Sequence, residues 1–196
     1  PLFSSLPVTA QTIQDRKEEA DQLLKVCREQ LQQQKYEAAI QACQQAAENL
    51  RQRGNRNGEA RGVTNLGIAH LNLSQPEKAI GYFQQSLPIF QTEQDRSGEA
   101  IVLHNLGTAY RNLSQHEQAI GYYEKALVIY QAIKNRGGEK QTLYGLGLTY
   151  SATKQYDQAL RVLEQALAID REQQNRADER LTLEAIAQIY DQMGQP

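Results

Sequence analysis

The feature that most constrains the fold is a repeat with a period of forty residues. The segment NLSQPEKAIGYFQQSL at residues 72–87 returns as NLSQHEQAIGYYEKAL at residues 112–127, with glycine, alanine and an aromatic pair in the same places. A fixed period of this length indicates an array of small units that stabilise one another by stacking. Three residue types keep the step over most of the chain: Gly67, Gly107 and Gly147; Ala39, Ala79, Ala119 and Ala159; Glu19, Glu59, Glu99, Glu139 and Glu179.

Each unit carries the pattern of two helices. Leu103, Leu106 and Tyr110 are spaced by three and four residues, which places them on one face of a first helix, A. The polar residues 112–115 interrupt this pattern, and small and apolar residues between 119 and 130 then line one face of a second helix, B. Units start near residues 18, 58, 98 and 138, with a half unit from residue 178. The pattern therefore predicts an all-α fold of antiparallel helix pairs.

The small and aromatic positions of the unit resemble the tetratricopeptide repeat (TPR) signature at Gly107, Tyr110, Ala119, Tyr123 and Ala126. The forty-residue period and the turn N/D-R-x-G-E-A are similar to the repeats of kinesin light chains and spindle-orientation adaptors. The chain departs from the family where Leu or Val replaces an aromatic residue early in helix A, and where the proline that usually ends helix B is absent. The resemblance implies a right-handed solenoid of about four and a half repeats.

The two ends of the chain carry separate signals. Residues 1–14 precede the array, which occupies residues 15–196, and form a leader or linker. Within them Val8-Thr9-Ala10 has the small-x-small pattern of a signal-peptidase site, so a signal-peptide remnant and a disordered leader are both open, as are export and a cytoplasmic location. Residues 193–196 align with residues 73–76, where a helix B begins in the second copy. We therefore expect the array to continue in a longer protein.

Composition and charge exclude several classes of partner. The net charge of -2 gives no basic excess for nucleic acid. No apolar run approaches the roughly 18 residues that span a bilayer, so membrane insertion is not expected. Two cysteines are too few for a disulfide framework. We expect Cys27 and Cys43 to be separate buried thiols, because pairing the positions of Gly107 and Ala119 would place the two sulfurs one helical turn apart.

No catalytic, metal or cofactor motif is present in the sequence. The three histidines, His70, His104 and His116, have no HExxH spacing and no Ser/His/Asp context, so we expect no enzyme activity. His70 takes the position of Tyr110 and is interpreted as a packed core residue. Arginine recurs at the unit junctions, where we expect each to pair with the glutamate three positions on, an anion-binding edge being the alternative. These are Arg16, Arg56, Arg96, Arg136 and Arg176.

The face of helix A that varies between copies is the candidate binding surface. In TPR proteins this face lines a concave groove that binds an extended or helical peptide, so the resemblance implies a peptide or protein partner. Asn65 and Asn105 match positions where family members bond the ligand backbone, and Ile68, Tyr144 and Leu148 are apolar groups that a solvated face would rarely cluster. The candidate groove residues are Arg61, Thr64, Asn65, Ile68, Ile101, His104, Asn105, Thr108, Arg111, Tyr144 and Leu148.

Three functions are consistent with this pattern. The favoured one is a protein-interaction scaffold that binds a peptide or protein segment in the groove, because the groove varies from copy to copy. The second is a regulatory module of a larger bacterial multidomain protein, for example one with a peptidase or signalling domain. The third is end-to-end self-association through the terminal helices.

Overall fold

The protein is described here by a computed structural model that covers residues 22–194. Within these residues every regular element is an α-helix, so the all-α prediction is confirmed. The helices are α1 (residues 22–32), α2 (Tyr36–Gln52), α3 (Arg56–Asn72), α4 (Pro76–Thr92), α5 (Arg96–Asn112), α6 (His116–Ala132), α7 (Arg136–Ala152), α8 (Tyr156–Glu172) and α9 (Arg176–Met193). Odd-numbered helices correspond to helix A and even-numbered helices to helix B. The tripeptide at residues 8–10 lies outside the described residues.

The turns between helices share one backbone design. Each contains a residue in the left-handed conformation, and the next N–H donates to the carbonyl five residues back, as Asp95 does to Phe90 at 2.9 Å. This is the Schellman arrangement, which satisfies carbonyls at the end of a helix. The left-handed residues recur every twenty positions: Gln34, Gly54, Ser74, Gln94, Ser114, Lys134, Lys154 and Gln174.

Side chains at the starts of the A helices explain the repeated N/D-R-x-G-E turn. Asp95 caps α5 by accepting a hydrogen bond from the Gly98 N–H at 2.9 Å, and Asn55, Asn135 and Asn175 cap α3, α7 and α9 in the same way. Such caps contribute about 1 kcal/mol each. At the starts of α3, α5 and α7 the next residue, arginine, pairs with the buried glutamate three residues on.

Three of the five junction arginines make the expected ion pair; Arg16 lies outside the described residues, and Glu179 pairs with Arg171 rather than with Arg176. Arg56 lies 3.1 Å from Glu59, whose side chain is only 2% exposed, and Arg136 lies 2.7 Å from Glu139. Arg96 pairs with Glu99 in the same way. The preceding B helix adds a second donor to each glutamate, for example the Arg51 Nε at 2.9 Å from Glu59. The repeated geometry closes these three junctions with a local ion pair.

The described residues fall into two compact units, one up to Ile89 and one from Phe90. In the first unit, a buried cluster includes Cys27, Ala39, Cys43 and Leu66. His70 is buried there as expected, with its ring stacked on Tyr82 at 5.2 Å and its Nδ1 2.8 Å from Gln75 Oε1. In the second unit, a larger cluster is built on Ala119, Tyr123, Leu146, Tyr150, Ala159, Leu163, Ala185 and Ile189.

In the second, third and fourth copies, helix A and helix B meet where a glycine faces a large side chain sixteen residues later. A Cβ on Gly107 would lie 2.7 Å from the ring of Tyr123, so only glycine lets the two helices approach this closely. Gly67 faces Phe83 and Gly147 faces Leu163 in the same register. This pairing fixes the antiparallel packing of each helix pair.

The prediction of separate thiols is wrong, because Cys27 and Cys43 form a disulfide with a Cα–Cα distance of 5.0 Å. These two residues occupy the same positions as Gly107 and Tyr123, which face each other directly. The expected separation of one helical turn would hold only if Gly107 faced Ala119 rather than Tyr123. In the first copy two medium-sized side chains therefore fill the space that glycine and an aromatic or leucine residue fill elsewhere.

Candidate functional site

A cleft of about 360 Å³ opens in the second unit between the A helices α5, α7 and α9. Its volume is in the range of small ligand sites. Tyr123 of α6 and Asp170 of α8 complete its floor and wall. The lining residues are His104, Thr108, Arg111, Tyr123, Lys140, Gln141, Tyr144, Gly145, Leu148, Asp170, Asp178, Leu181 and Thr182.

The apolar part of the cleft comes from α7 and α9. Tyr144 and Leu148 are half-buried one helical turn apart, and Leu181 is 47% exposed. Gly145 stands where other copies have Asn65 and Asn105, because a Cβ there would lie 2.9 Å from the Tyr123 hydroxyl oxygen. The aromatic residue of α6 thus reaches the cleft through a gap left by glycine.

A hydrogen-bonded chain links α5 to the phenol of Tyr123. The Thr108 hydroxyl donates to the His104 carbonyl oxygen at 3.2 Å and lies 3.0 Å from the Tyr123 hydroxyl. Either hydroxyl can be the donor in the second contact. Burial raises the pKa of Tyr123, while the Thr108 contact and the charge of Arg111 oppose that rise. The phenol is therefore neutral and fixed in place.

His104 is held between α5 and α7. Its Nδ1 lies 3.0 Å from the Thr142 hydroxyl oxygen, and its ring is tilted against Tyr123 with 5.5 Å between centroids. Burial, and then the nearby charge of Arg111, lower the pKa of His104 to about 4. The ring is therefore uncharged at neutral pH.

An ion cluster forms the wall of the cleft opposite α5. Lys140 Nζ lies 3.2 Å from Asp170 and also pairs with Asp178, and Asp170 is fully buried. The Thr182 hydroxyl donates to Asp170 at 2.8 Å. Burial lowers the pKa of Lys140, but the hydrogen bonds to Asp178 and Asp170 outweigh burial and the net shift is upward. Lys140 is therefore charged, and its charge is matched by these two carboxylates.

Arg111 is a second cation of the cleft, and unlike Lys140 it is not paired with carboxylates within residues 22–194. Its Nε atom is buried and has no hydrogen-bond partner within residues 22–194. The guanidinium of Arg111 interacts with the Tyr123 hydroxyl by hydrogen bonding and by charge, and its charge also acts on His104, which places it beside both rings. A buried donor without a partner costs about 1–3 kcal/mol, so this arginine is placed here at a cost in stability.

A second cleft of about 310 Å³ lies in the first unit. Arg61 and Asn65 of α3 line it together with Arg28 of α1, and Arg61 Nε donates to Asn57 at 2.8 Å. The Asn65 amide also donates to the Cys27 sulfur at 3.3 Å. The other lining residues are Leu24, Asn55, Asn57 and Gly58.

The structure separates the predicted groove residues into three sets. Five line the larger cleft: His104, Thr108, Arg111, Tyr144 and Leu148. Arg61 and Asn65 line the smaller one. The remaining four line neither: Thr64 is buried and donates to Ala60 O at 2.8 Å, Ile68 is half-buried, Ile101 is 39% exposed, and the Asn105 amide donates to Ile101 O at 2.8 Å.

The ion cluster was missed by sequence reasoning, although the repeat contains a signal for it. Lys140 stands where Ala60 and Ala100 occur in other copies. Asp170 replaces the aromatic residues Phe90 and Tyr130, and Asp178 replaces Gly58, Gly98 and Gly138. Three positions of this junction that are uncharged in other copies therefore carry charged residues. Three charged substitutions at one junction indicate that its side chains interact differently from those of the other junctions.

Two searches of the described part of the chain returned nothing. Residues 22–194 hold no group of three or more His, Cys, Asp or Glu side chains arranged to bind a metal ion. None of the helices in that range has the length and hydropathy needed to cross a membrane.

Several solved structures are similar to this chain in fold. Aspartyl phosphate phosphatase F from Bacillus subtilis is 18% identical, with a TM-score of 0.79 over 91% of this chain and 50% of that protein. A putative kinesin light chain from Podosopora anserina is 17% identical, with a TM-score of 0.72 over 90% and 87%. A Rap protein complexed with Competence and Sporulation Factor is 16% identical, with a TM-score of 0.77 over 90% and 53%. The chain spans about half the length of the first and third of these proteins.

The sequence family supports the same assignment. No curated protein matches the chain significantly. The tetratricopeptide repeat family matches residues 30–92 and 98–172, more than half of the chain, so the resemblance seen in the repeat is confirmed. With helix pairs, turn geometry and small-to-large packing all in register, the chain belongs to the tetratricopeptide repeat family.

Proposed function

We propose that this chain is a protein-interaction scaffold and that the cleft between α5, α7 and α9 binds a peptide segment. The segment would place an apolar side chain against Tyr144 and Leu148 and an acidic group against Arg111. The single observation that carries this proposal is that Arg111 lines the same cleft as these apolar residues and, within residues 22–194, has no carboxylate at ion-pair distance.

The charges of the cleft favour one acidic group in the ligand. Lys140 is matched by Asp170 and Asp178, so a second anion close to it would meet two carboxylates. His104 is neutral at pH 7, because burial and Arg111 hold its pKa at about 4. Arg111 can bind a carboxylate through two parallel hydrogen bonds, which gives both affinity and orientation.

The comparisons support a binding role in general terms. The tetratricopeptide repeat is an interaction fold rather than a catalytic one, and one similar structure is a Rap protein in complex with Competence and Sporulation Factor. Because the fold hosts many partners, the cleft chemistry rather than the likeness selects the ligand class proposed here. The occupant would be a free peptide or a segment of an attached domain, since both offer the same groups.

The cleft of the first unit is a second candidate site for an acidic ligand. Its lining combines Arg28 and Arg61 with three asparagine amides, and no carboxylate from residues 22–194 lines it. Asn65 would hydrogen-bond the ligand backbone there, while its contact with Cys27 limits how far the amide can turn. The corresponding role for Asn105 would require its amide to leave the Ile101 carbonyl oxygen.

The test uses peptides selected from a random display library on the intact chain, titrated by calorimetry. Arg111→Met keeps the aliphatic stem and removes the charge, and should weaken selected acidic peptides about tenfold or more, as expected for a charge-assisted hydrogen bond. Tyr144→Ala should weaken them by a similar factor through lost apolar contact. Lys125→Met, an exposed cation on α6, is the matched control and should bind normally. Selected peptides that bind both cleft variants as well as the original chain would contradict the proposal.

A further inference from the structure

The hydroxyl of Thr142 determines which nitrogen of His104 carries the proton. Thr142 is fully buried on α7, and its hydroxyl donates to the Gly138 carbonyl oxygen at 2.7 Å. A threonine hydroxyl has one proton, so its oxygen can only accept in the 3.0 Å contact with His104 Nδ1. Nδ1 is therefore the protonated nitrogen of the ring.

It follows that the second nitrogen of His104 is an acceptor. A neutral imidazole has one N–H and one lone pair, and burial keeps this ring neutral with a pKa of about 4. The proton on Nδ1 leaves the lone pair on Nε2. His104 lines the cleft, and its neighbours Thr108 and Tyr123 already share a hydrogen bond with each other.

We propose that His104 is a specificity-determining residue of the cleft, whose Nε2 accepts a hydrogen bond from an N–H group of the ligand next to the acidic group bound by Arg111. This inference rests on the proposed function and makes it more specific, because it adds a required donor to the ligand. His104 and Arg111 together would select a ligand that has an N–H donor next to an anionic group. A carboxylate alone has no such donor.

The positioning role belongs to Thr142, which acts through His104 without lining the cleft. Thr142→Val keeps the shape of the side chain and removes the acceptor for Nδ1–H. The ring proton should then redistribute between the two nitrogens, and the Nε2–H form presents a donor where the ligand needs an acceptor. Thr149→Val is the matched control, because Thr149 is also fully buried on α7 and its hydroxyl makes the same bond, to Gly145 O at 2.7 Å.

The first measurement needs no ligand. Nitrogen-15 chemical shifts of the His104 ring at neutral pH should show the Nδ1–H tautomer in the original chain and in Thr149→Val. A mixture with the Nε2–H tautomer should appear in Thr142→Val. A ring that is protonated on Nε2 in the original chain would overturn the proposal.

The second measurement uses the peptides selected from the random display library. Replacing each backbone amide by an ester, and each side chain by alanine, should find one N–H whose loss weakens binding about five- to tenfold, as for a single hydrogen bond. The same replacement should have no further effect on His104→Phe, which keeps the aromatic packing but has no acceptor. Thr142→Val should weaken the parent peptide by a similar factor, and Thr149→Val should not.

The outcomes separate this inference from the proposed function. Peptides that need Arg111 and Tyr144 but bind His104→Phe and Thr142→Val normally would overturn the role of His104 alone. Peptides insensitive to Arg111→Met and Tyr144→Ala would overturn the proposed cleft function and the acceptor role with it.

Discussion

Two consecutive junctions in the second unit have the same backbone and opposite chemistry. At the first, Tyr130 at the end of α6 packs on Gly138 at the start of α7, where a Cβ would lie 2.3 Å from the ring. At the second, Asp170 and Asp178 hold the equivalent positions on α8 and α9, and Lys140 pairs with both. In both, the turn closes with the same 2.9 Å backbone bond.

The difference shows that the repeat constrains the backbone more tightly than the side chains that fill it. An aromatic ring on a glycine buries apolar surface and needs no partner, so it stabilises the first junction by itself. The ion cluster must compensate the desolvation of several charges before it contributes anything, and such clusters often stabilise less than an apolar substitute. Lys140, Asp170 and Asp178 of the ionic junction also line the candidate cleft.

The largest effect should come from breaking the ion cluster. Lys140→Met keeps most of the side-chain volume but leaves the fully buried Asp170 without its cation. Removing one partner of a buried pair costs about 3–5 kcal/mol. Urea unfolding followed by circular dichroism should show a loss of this size, whereas Lys125→Met, which removes only an exposed cation 5.4 Å from the Tyr122 ring, should cost less than about 1 kcal/mol. A loss below about 1 kcal/mol would mean that the cluster is solvated like a surface pair.

The second prediction concerns the apolar junction. Gly138→Ala would place a Cβ against Tyr130, and overpacking of this kind costs about 1–3 kcal/mol. The neighbouring Gly137 is the control, because its nearest contact would be 3.6 Å away and alanine favours a helix by about 1 kcal/mol over glycine. The two single substitutions, measured by the same unfolding experiment, should therefore shift stability in opposite directions. Equal shifts would show that Tyr130 can move aside freely.

A third prediction converts the second junction into the first. The triple variant Lys140→Ala, Asp170→Tyr and Asp178→Gly restores the residue types found at the preceding junction. Replacing a buried ion cluster by packed apolar groups is neutral or stabilising by about 1–4 kcal/mol. Thermal unfolding should thus show a melting temperature at or above that of the original chain, although Lys140→Met alone lowers it. If the triple variant is less stable than the original chain, the two junctions are not interchangeable.

The fold could be predicted from the sequence because its determinants are local and repeated. Gly107 and its equivalents recur every forty residues, as do the large residues that they face. The period therefore predicts both the helix pairs and the close spacing of the two helices in each pair. The disulfide was missed since it depends on the register between helices A and B, which the sequence argument shifted by one turn. Had Gly107 been paired with Tyr123, the same sequence would have placed Cys27 opposite Cys43.

The candidate site was predicted less completely. Tyr144 and Leu148 could be recognised because apolar side chains are unusual on a varied face of helix A. Lys140 occupies a position that other copies fill with buried alanine, and Asp170 comes from a B helix thirty residues further along. Whether those two side chains meet is decided by packing between neighbouring copies, which no local pattern reveals.

The smallest effect distinguishes the polar contacts of the two junctions by their response to pH. Thr142 and Thr182 are equivalent residues, but Thr142 accepts from a neutral histidine and Thr182 donates to a paired carboxylate. His104 has a pKa of about 4 in the folded chain, below its ordinary value of 6.5. Above pH 6.5 neither state binds the proton, so the stabilising effect of the neutral ring is complete. As the pH falls from 6.5 towards 4, only the unfolded chain takes up the proton, and folding loses stability.

At pH 5 this loss should reach about 2 kcal/mol, since each unit between the pH and the unfolded pKa is worth about 1.4 kcal/mol. His104→Phe has no titrating group at this position. Between pH 7.5 and pH 5, its free energy of unfolding should therefore fall by about 2 kcal/mol less than that of the original chain. The comparison with the same chain at both pH values cancels the carboxylates, which titrate alike in both proteins. Parallel pH profiles for the two proteins would show that the His104 ring is solvated and protonates in the folded state. The contact between His104 and Thr142 would then not be a buried neutral one, and the two junctions would not differ in this respect.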